Sequence, residues 1–332
     1  MKPEKLFSNL ESMNEAELLE FIQSSEDFSA GQIQDYLNYI FAQAVALDLQ
    51  TPVYDCCGTG GDGANTFNIS TTAAIIAASC GIRICKNGGR SSSSTTGSVD
   101  VIEALGLNLA VSLEQKIMGL EKTNLAFYSN PILVDLLAPI KQICRKHRLT
   151  SFISLIGPLA SPVVLEGQVI GVAKEKWLST IVDLVKSLIE QGKRRAAIIV
   201  ISEFADGTKV DEITSASKSK IILLNQSKKI EFDFDAADLD LRDNKEDLAG
   251  GKDHQDNAAI INEILNGSNR NTAKISTVCL NSSLLSYLDK GDCTDNYHKF
   301  TDLLSQYLEQ AKKSVYSGKA HENFENLKTI YN

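Results

Sequence analysis

Four glycines fall within six residues of the sequence Gly58-Thr59-Gly60-Gly61-Asp62-Gly63, which continues as Ala64-Asn65-Thr66-Phe67-Asn68-Ile69-Ser70-Thr71-Thr72. Glycine permits positive φ and lets the backbone approach a ligand closely. The polar residues Asn68, Ser70 and Thr71 then open an apolar helical run, and a helix N-terminus offers unpaired N–H donors and a positive dipole end. The segment therefore predicts a site for phosphate or pyrophosphate, with a simple capped turn as the alternative.

A second segment of similar character follows the predicted strand at residues 82–85. It reads Lys86-Asn87-Gly88-Gly89-Arg90 and then Ser91-Ser92-Ser93-Ser94-Thr95-Thr96-Gly97-Ser98. Hydroxyl groups and backbone amides can donate hydrogen bonds to an anion, and Lys86 supplies a point charge. The alternative is a flexible serine-rich linker. The short segment lies between two core elements, which favours a second anion site.

An acidic pair follows the predicted strand at residues 197–201, within Val210-Asp211-Glu212-Ile213-Thr214. Adjacent carboxylates suit a hard divalent cation such as Mg²⁺, which prefers oxygen ligands and usually bridges to substrate phosphates. Acidic pairs are also common on protein surfaces. Together with two phosphate-binding segments, however, this pair indicates a site that neutralises a pyrophosphate leaving group.

The remaining patterns predict an α/β fold. Residues 1–50 have apolar residues at helical spacing. Beyond them, helical patterns alternate with short apolar runs at residues 53–55, 82–85, 125–128, 169–172 and 197–201. This alternation predicts a mainly parallel sheet flanked by helices. We therefore expect a small N-terminal helical domain, residues 1–50 with part of 130–165 packed on it, and a large α/β domain, residues 51–332.

Several further elements are expected along the chain. The clearest helical pattern covers residues 175–191, and a strand-rich stretch follows residue 201 as far as residue 234. A polar loop is expected at residues 238–255, and two more helices near residues 257–265 and 298–316. We find no internal repeat.

Composition narrows the class of protein. The 332 residues carry 33 Lys and Arg against 42 Asp and Glu, a net charge of −9, and 43% are hydrophobic. The acidic balance argues against general nucleic-acid binding, which requires clustered positive charge. No apolar run approaches the length of a membrane-spanning helix. The seven scattered cysteines favour reduced thiols in a cytoplasmic protein over a disulfide framework or a zinc site.

These motifs resemble the anthranilate phosphoribosyltransferase family, whose fold is shared with pyrimidine nucleoside phosphorylases. Residues 58–71 follow the family signatures GTGGD and NIST almost letter for letter. Further matches, in the family's order, are Ser93-Ser94, Gly97-Ser98, Asp100, Glu103-Ala104-Leu105-Gly106, Gly157-Pro158-Leu159, Asp211-Glu212, Asn257-Ala258-Ala259 and Ser317-Gly318-Lys319-Ala320. The resemblance covers most of the chain.

The resemblance implies transfer of a phosphoribosyl group from phosphoribosyl pyrophosphate (PRPP) to an aromatic amine, as in tryptophan biosynthesis. It also implies Mg²⁺ as cofactor and a homodimer built on the N-terminal helices. By similarity, PRPP would be bound by Gly58, Thr59, Gly60, Gly61, Asp62, Asn68, Ser70, Thr71, Lys86, Ser93 and Ser94. The metal would be bound by Ser70, Asp211 and Glu212.

The acceptor side departs from the family pattern. Where the family reads KHGNR, this chain has Asn87 in place of the histidine and Gly89 in place of the asparagine. The family also places an arginine against the anthranilate carboxylate. A gapless count back from Gly157 puts Thr150 at that position, with Arg148 two residues away. We take Asn87, Gly89, Arg148 and Thr150 as the candidate acceptor residues, and the departures point to anthranilate or a diverged acceptor.

Two other functions stay open on the sequence alone. The first is a nucleoside phosphorylase, because the phosphate-binding segments would bind free phosphate equally well. The second is a non-catalytic paralogue that keeps the scaffold and binds a nucleotide, a nucleic acid or a protein partner. The acidic pair and the NIST-type helix start favour the transferase, in which catalysis rests on positioning and charge stabilisation. No catalytic acid or base is assigned.

Overall fold

A mixed sheet lies at the centre of the computed structural model, which describes residues 2–10, 12–44, 49, 51–89, 97–128, 131–147 and 149–332. Within these residues the sheet has eight strands: β1 (Tyr54–Gly58), β2 (Ile84–Asn87), β3 (Leu125–Tyr128), β4 (Leu165–Gly171), β5 (Arg194–Phe204), β6 (Lys209–Val210), β7 (Ser217–Asn225) and β8 (Lys229–Asp235). Their order is β3-β2-β1-β4-β5-β7-β8, and β6 pairs with β5.

The two halves of the sheet differ in strand direction. Strands β3, β2, β1, β4 and β5 are parallel, whereas β6, β7 and β8 pair antiparallel. Each of the five strands predicted from apolar runs overlaps one of the parallel strands, which confirms the predicted α/β class. Gly58 lies opposite Gly171 in the register of β1 and β4. The carboxyl ends of these strands therefore meet at one edge of the sheet, where ligands bind in open α/β folds.

Helices cover both faces of the sheet. They are α1 (Pro3–Asn9), α2 (Glu15–Ser24), α3 (Ala30–Gln43), α4 (Ile69–Ser79), α5 (Ser98–Ala104), α6 (Leu113–Thr123), α7 (Pro131–His147), α8 (Ile153–Leu159), α9 (Leu178–Glu190), α10 (His254–Leu265), α11 (Thr272–Asp289), α12 (Tyr297–Tyr316) and α13 (Lys319–Tyr331). Among the described residues, no helix is both long enough and apolar enough to cross a bilayer.

The N-terminal helices form a layer over one face of the sheet. Capping boxes begin two of them: Asn14 pairs with Glu17 at the start of α2, and Ser29 pairs with Gln32 at the start of α3. Their apolar residues share one core with residues of α7, α8 and α9. Helix α8 contacts α3 and α7 within this core. The division into domains at residues 50 and 51 stays a prediction.

The opposite face is filled by α4 and α11, which are buried almost all round. The helices expected near residues 257–265, 298–316 and 175–191 correspond to α10, α12 and α9. Both helices expected after the polar loop are therefore present, and α11 and α13, which the sequence did not predict, lie in the same part of the chain. Helix α11 carries Ser276, Thr277, Asn281 and Ser282 in its buried surface. Helical periodicity depends on contrast between a polar and an apolar face, and a helix buried on all sides has none.

Candidate active site

The glycine-rich segment ends β1 and forms a turn with positive φ. Gly60 has φ 69° and Gly61 has φ 77°, a region in which residues with a Cβ are strained. The turn directs the amide N–H of Gly60 onto Oδ2 of Asp211, at 2.6 Å. The two predicted motifs, 151 residues apart in the chain, are therefore in direct contact.

Close packing around Asp211 depends on glycine at two strand ends. A Cβ built on Gly58 would overlap the Asp211 carboxylate, and one built on Gly171 would overlap the Asp211 backbone carbonyl. Gly58 and Gly171 are register partners at the ends of β1 and β4. Gly171 was missed in the sequence analysis. A glycine at the end of the neighbouring parallel strand was the signal that could have identified it.

Thr59 and Asp62 anchor the rest of the loop. The amide of Thr59 donates to the Gly171 carbonyl at 2.9 Å, and its Oγ1 accepts from the amide of Ala173 at 2.9 Å. Asp62 accepts from the amide of Ala64 at 3.0 Å and from the amide of Asp211 at 3.4 Å. Asp62 therefore braces the turn and adds a third carboxylate beside the acidic pair.

The start of α4 meets the second member of the acidic pair. Oε1 of Glu212 accepts from the amide of Ser70 at 3.2 Å and also from the Ser70 hydroxyl. Asn68 is the N-cap residue, and its Oδ1 is buried with no hydrogen-bond partner among the described residues. Thr71 is buried in the first turn. Two donors at the helix N-terminus are thus directed at a carboxylate, which the helix dipole favours.

At the acidic pair, the effect of burial exceeds that of the positive charge nearby among the described residues. Burial, together with the charges of Asp62 and Glu212, raises the pKa of Asp211 well above its usual range. Burial also raises the pKa of Glu212 to about 7, although Ser70 and Lys86 act in the opposite direction. A buried carboxylate cluster gains stability from a cation. Among the described residues, no group of three or more His, Cys, Asp or Glu side chains is arranged to hold a metal alone.

Lys86 is a buried cation whose charge acts on this cluster. It is 2% exposed, and its Nζ donates to the carbonyl oxygen of Cys56 at 2.7 Å and lies 3.9 Å from Oδ1 of Asp55. Burial lowers the pKa of Lys86, but the neighbouring acidic groups, Asp55 foremost, raise it by more. The ammonium group therefore stays charged, and its field reaches Glu212.

The second predicted anion segment is described only at its two ends. The amide of Gly89 donates to Oγ of Ser98 at 3.2 Å, and the Ser98 hydroxyl donates to the Gly89 carbonyl at 3.3 Å. These bonds bring the end of the β2 loop against the start of α5. Ser93 and Ser94 lie outside the described residues.

The candidate acceptor residues bond to other parts of the protein. Asn87 is buried, and its Nδ2 donates to the carbonyl oxygen of Gly157 at 3.2 Å. Oγ1 of Thr150 accepts from Nζ of Lys174 at 2.5 Å, and that Nζ lies 4.8 Å from the centre of the Trp177 ring. Arg148 lies outside the described residues. Lys174 was missed in the sequence analysis, although its position just after β4 was a usable signal.

Comparison with known proteins places these features in one family. Residues 50–321 match a family described as "Glycosyl transferase family, a/b domain". An anthranilate phosphoribosyltransferase from Bacillus cereus (strain B4264) is 32% identical over 266 residues, which cover 80% of this chain and 72% of that protein.

Solved structures show the same fold. The anthranilate phosphoribosyltransferase of Thermus thermophilus has a TM-score of 0.75 at 23% identity, covering 100% of this chain and 99% of that one. The Saccharomyces cerevisiae enzyme in complex with PRPP and Mg also has a TM-score of 0.75 at 23% identity, covering 91% of this chain and 80% of that one. The resemblance found in the sequence motifs is confirmed, and the chain belongs to the anthranilate phosphoribosyltransferase family.

Proposed function

We propose that this protein transfers the phosphoribosyl group of PRPP to an aromatic amine of the anthranilate type and releases pyrophosphate. One observation carries the proposal: the acidic pair is bonded to both donor motifs, Asp211 to Gly60 and Glu212 to Ser70. A glycine-rich turn, a helix N-terminus and two carboxylates therefore surround one place. That combination suits a sugar carrying a diphosphate and a divalent cation.

The residues present fit Mg²⁺. Ser70, Asp211 and Glu212 would supply oxygen ligands, and the raised pKa values of the two acids are those of a cluster that gains from added positive charge. Mg²⁺ is commonly held by one or two carboxylates together with water and substrate phosphates. When bound, the ion would offset the charge that develops on the leaving pyrophosphate.

The chain itself contributes position and fixed dipoles. The amides of Gly60 and Ser70 donate to Asp211 and Glu212, and they would become available to phosphate oxygens when a cation binds the two carboxylates. Asn68 carries an unpartnered buried oxygen at the same helix start, available to a ribose hydroxyl. The site would also lower the activation barrier by holding the acceptor amine close to the ribose carbon of the donor and in the correct orientation.

The acceptor side supports a ligand that carries a carboxylate. Lys174 brings a half-buried ammonium group to Thr150, the position at which the family has an arginine. Burial lowers the pKa of Lys174, and Glu26 acts in the opposite direction. An ammonium group can bind a carboxylate as a point charge but lacks the two-pronged geometry of a guanidinium. The acceptor contact therefore differs from that of the family.

Release of pyrophosphate tests the proposal directly. We expect release from PRPP only when Mg²⁺ and an amine acceptor are both present, with anthranilate compared against other aromatic amines and nitrogen heterocycles. Chelation of the metal should abolish the signal. A parallel reaction with nucleosides and inorganic phosphate, without PRPP, tests the phosphorylase alternative. Cleavage of a nucleoside, or no turnover with any amine, would overturn the proposal.

We also propose that the protein is a cytoplasmic homodimer associating through the N-terminal helical domain, residues 1–50. The seven cysteines are free thiols, which suits a reducing compartment. Light scattering on the full chain should give twice the mass of 36.2 kDa. A monomer at micromolar concentration would contradict the proposed assembly.

A further inference from the structure

Three consecutive carbonyl groups at the end of α8 accept hydrogen bonds from three different strands. Nδ2 of Asn87, at the end of β2, donates to Gly157 at 3.2 Å. Nε2 of Gln168, on β4, donates to Pro158 at 2.8 Å, and Nη2 of Arg194, on β5, donates to Leu159 at 2.9 Å. The last carbonyls of a helix have no partner within the helix. Here the sheet supplies all three.

These donors are buried, and two of them are bonded to each other. Gln168 is 0% exposed and Arg194 is 1% exposed, and Nη1 of Arg194 donates to Oε1 of Gln168. A buried guanidinium is costly unless its surroundings compensate it. The negative end of the α8 dipole lies at the carbonyl that Arg194 contacts, which partly offsets the cost. Removing any one of these three side chains costs free energy, because it leaves a buried polar group without a hydrogen-bond partner.

Asp55 connects this cluster to the donor side. Its Oδ2 accepts from Nε2 of Gln168 at 3.4 Å, and its Oδ1 accepts from the amide of Asn87 at 3.3 Å. Oδ1 also lies 3.9 Å from Nζ of Lys86. One buried carboxylate in β1 therefore contacts both the phosphate-side lysine and two of the residues that hold α8.

We propose that Asn87, Gln168 and Arg194, which we call the α8 clasp, are positioning residues that fix α8 and the acceptor side against the donor loops. The acceptor part of this inference rests on the proposed function. Thr150 lies just before α8, and the two glycine-containing donor loops follow β1 and β2. Asp55 belongs to β1, and the clasp residues belong to β2, β4 and β5. The clasp thus sets the distance between the two substrates, which must be correct to within about an ångström for efficient transfer.

Location supports positioning over general stabilisation. The apolar side of α8 already packs in the core shared with α3, α7 and α9, so burial of apolar area holds the helix on the sheet. Hydrophobic contact is not directional and permits sliding. Three hydrogen bonds to successive carbonyls fix the helix along its axis as well as across it, because their geometry is narrow.

Arg194→Met is the principal test, and Arg195→Met is its matched control. Arg195 is the next residue of β5, its side chain is 76% exposed, and it contacts Glu166 at 3.3 Å. For Arg194→Met we expect kcat/KM for the acceptor to fall at least tenfold, while the Kd of PRPP with Mg²⁺ stays within twofold of wild type. Arg194→Lys, which retains the charge, should recover part of the loss. Arg195→Met should match wild type in both measurements.

Hydrogen exchange gives a readout that does not depend on the acceptor. In Arg194→Met the amides of α8 should exchange at least tenfold faster, with those of α4 unchanged. If Arg194→Met does not fold, the same measurements are made on Gln168→Met, which leaves the arginine in place. Unchanged α8 exchange, or equal losses in donor and acceptor binding, would overturn the inference. If wild type releases no pyrophosphate with any amine, the proposed function fails. The exchange data alone then show whether the α8 clasp holds α8 in place.

Discussion

The donor side and the acceptor side of this site are built in different ways. On the donor side, the contacts join backbone amides and carboxylates from segments about 150 residues apart, as in the bond from Gly60 to Asp211. On the acceptor side, the contact at the position of the family's arginine is a single side-chain pair, the bond from Lys174 to Thr150. A network with many mutual bonds tolerates little change, whereas an isolated pair can be exchanged. The motifs for the donor are accordingly intact, and those for the acceptor have diverged.

Of the changes considered, neutralising the acidic pair on the donor side should reduce activity the most. In Asp211→Asn with Glu212→Gln, the side chains keep their shape but lose the negative charge that would hold Mg²⁺. A catalytic metal contributes several kcal/mol, so we expect Mg²⁺-dependent turnover to fall by at least about a hundredfold. Pyrophosphate release measures the turnover, and calorimetry measures the binding of PRPP. Asp233→Asn, whose side chain is 89% exposed, is the control, and unchanged PRPP binding in the double variant would refute the metal assignment.

Asp55 belongs to both sides, and its ionisation should affect stability. Burial raises the pKa of Asp55 to about 6, although Lys86 and Arg194 act in the opposite direction. Because the folded state favours the protonated carboxyl, this contribution is full below the unfolded pKa near 4 and is lost as pH rises through about 6. The shift of about 2 units corresponds to ~3 kcal/mol.

Urea unfolding of wild type and Asp55→Asn at pH 4 and at pH 7.5 measures this effect. The free energy of unfolding of wild type, relative to the variant, should be lower at pH 7.5 by up to the full ~3 kcal/mol. Other titrating groups are common to both proteins and cancel in the difference. If the difference between the two proteins does not change with pH, ionisation of Asp55 does not destabilise the folded protein.

A smaller effect on PRPP binding is expected when a methyl group is added to the glycine-rich turn. The added methyl of Gly58→Ala would meet the Asp211 carboxylate, and overpacking of this kind costs about 1–3 kcal/mol. The Kd for PRPP should therefore rise by about 5- to 150-fold. Gly31→Ala in α3, where the nearest atom would be 3.9 Å away, should leave the Kd unchanged. Equal affinities for the two variants would show that Asp211 can move without loss.

The smallest change is expected on the acceptor side. Lys174→Met removes the ammonium group beside Thr150, and the KM for a carboxylate-bearing acceptor should rise by up to about tenfold, or 1.4 kcal/mol. The Kd for PRPP should stay as in wild type. Lys176→Met is matched in residue type and lies on the same segment, where it pairs with Glu26 at 3.3 Å. Loss of affinity for both substrates in Lys174→Met would place this lysine outside the acceptor side.

The sequence predicted the elements that have a regular pattern or a motif. The parallel strands and α4 were readable because apolar runs and the polar residues at 68–71 mark them directly. Helix α11 was not, since its buried serine and threonine residues break the apolar pattern. The motifs predicted a donor site, but not that Asp211 would contact Gly60, because such pairings depend on strand register. Arg194 carried no signal, since a single arginine in a strand gives no indication of burial.

The position of α11 has a consequence for how the chain is made. This helix contacts α4, β1, β4 and β5, so a segment from late in the sequence completes the packing around elements near its beginning. Contacts of such long range slow folding. During translation, we therefore expect the part of α4 that packs on α11 to stay uncovered until residues 272–289 have been added. We expect nascent chains that end before residue 272, where α11 begins, to engage chaperones and to lack an assembled active site.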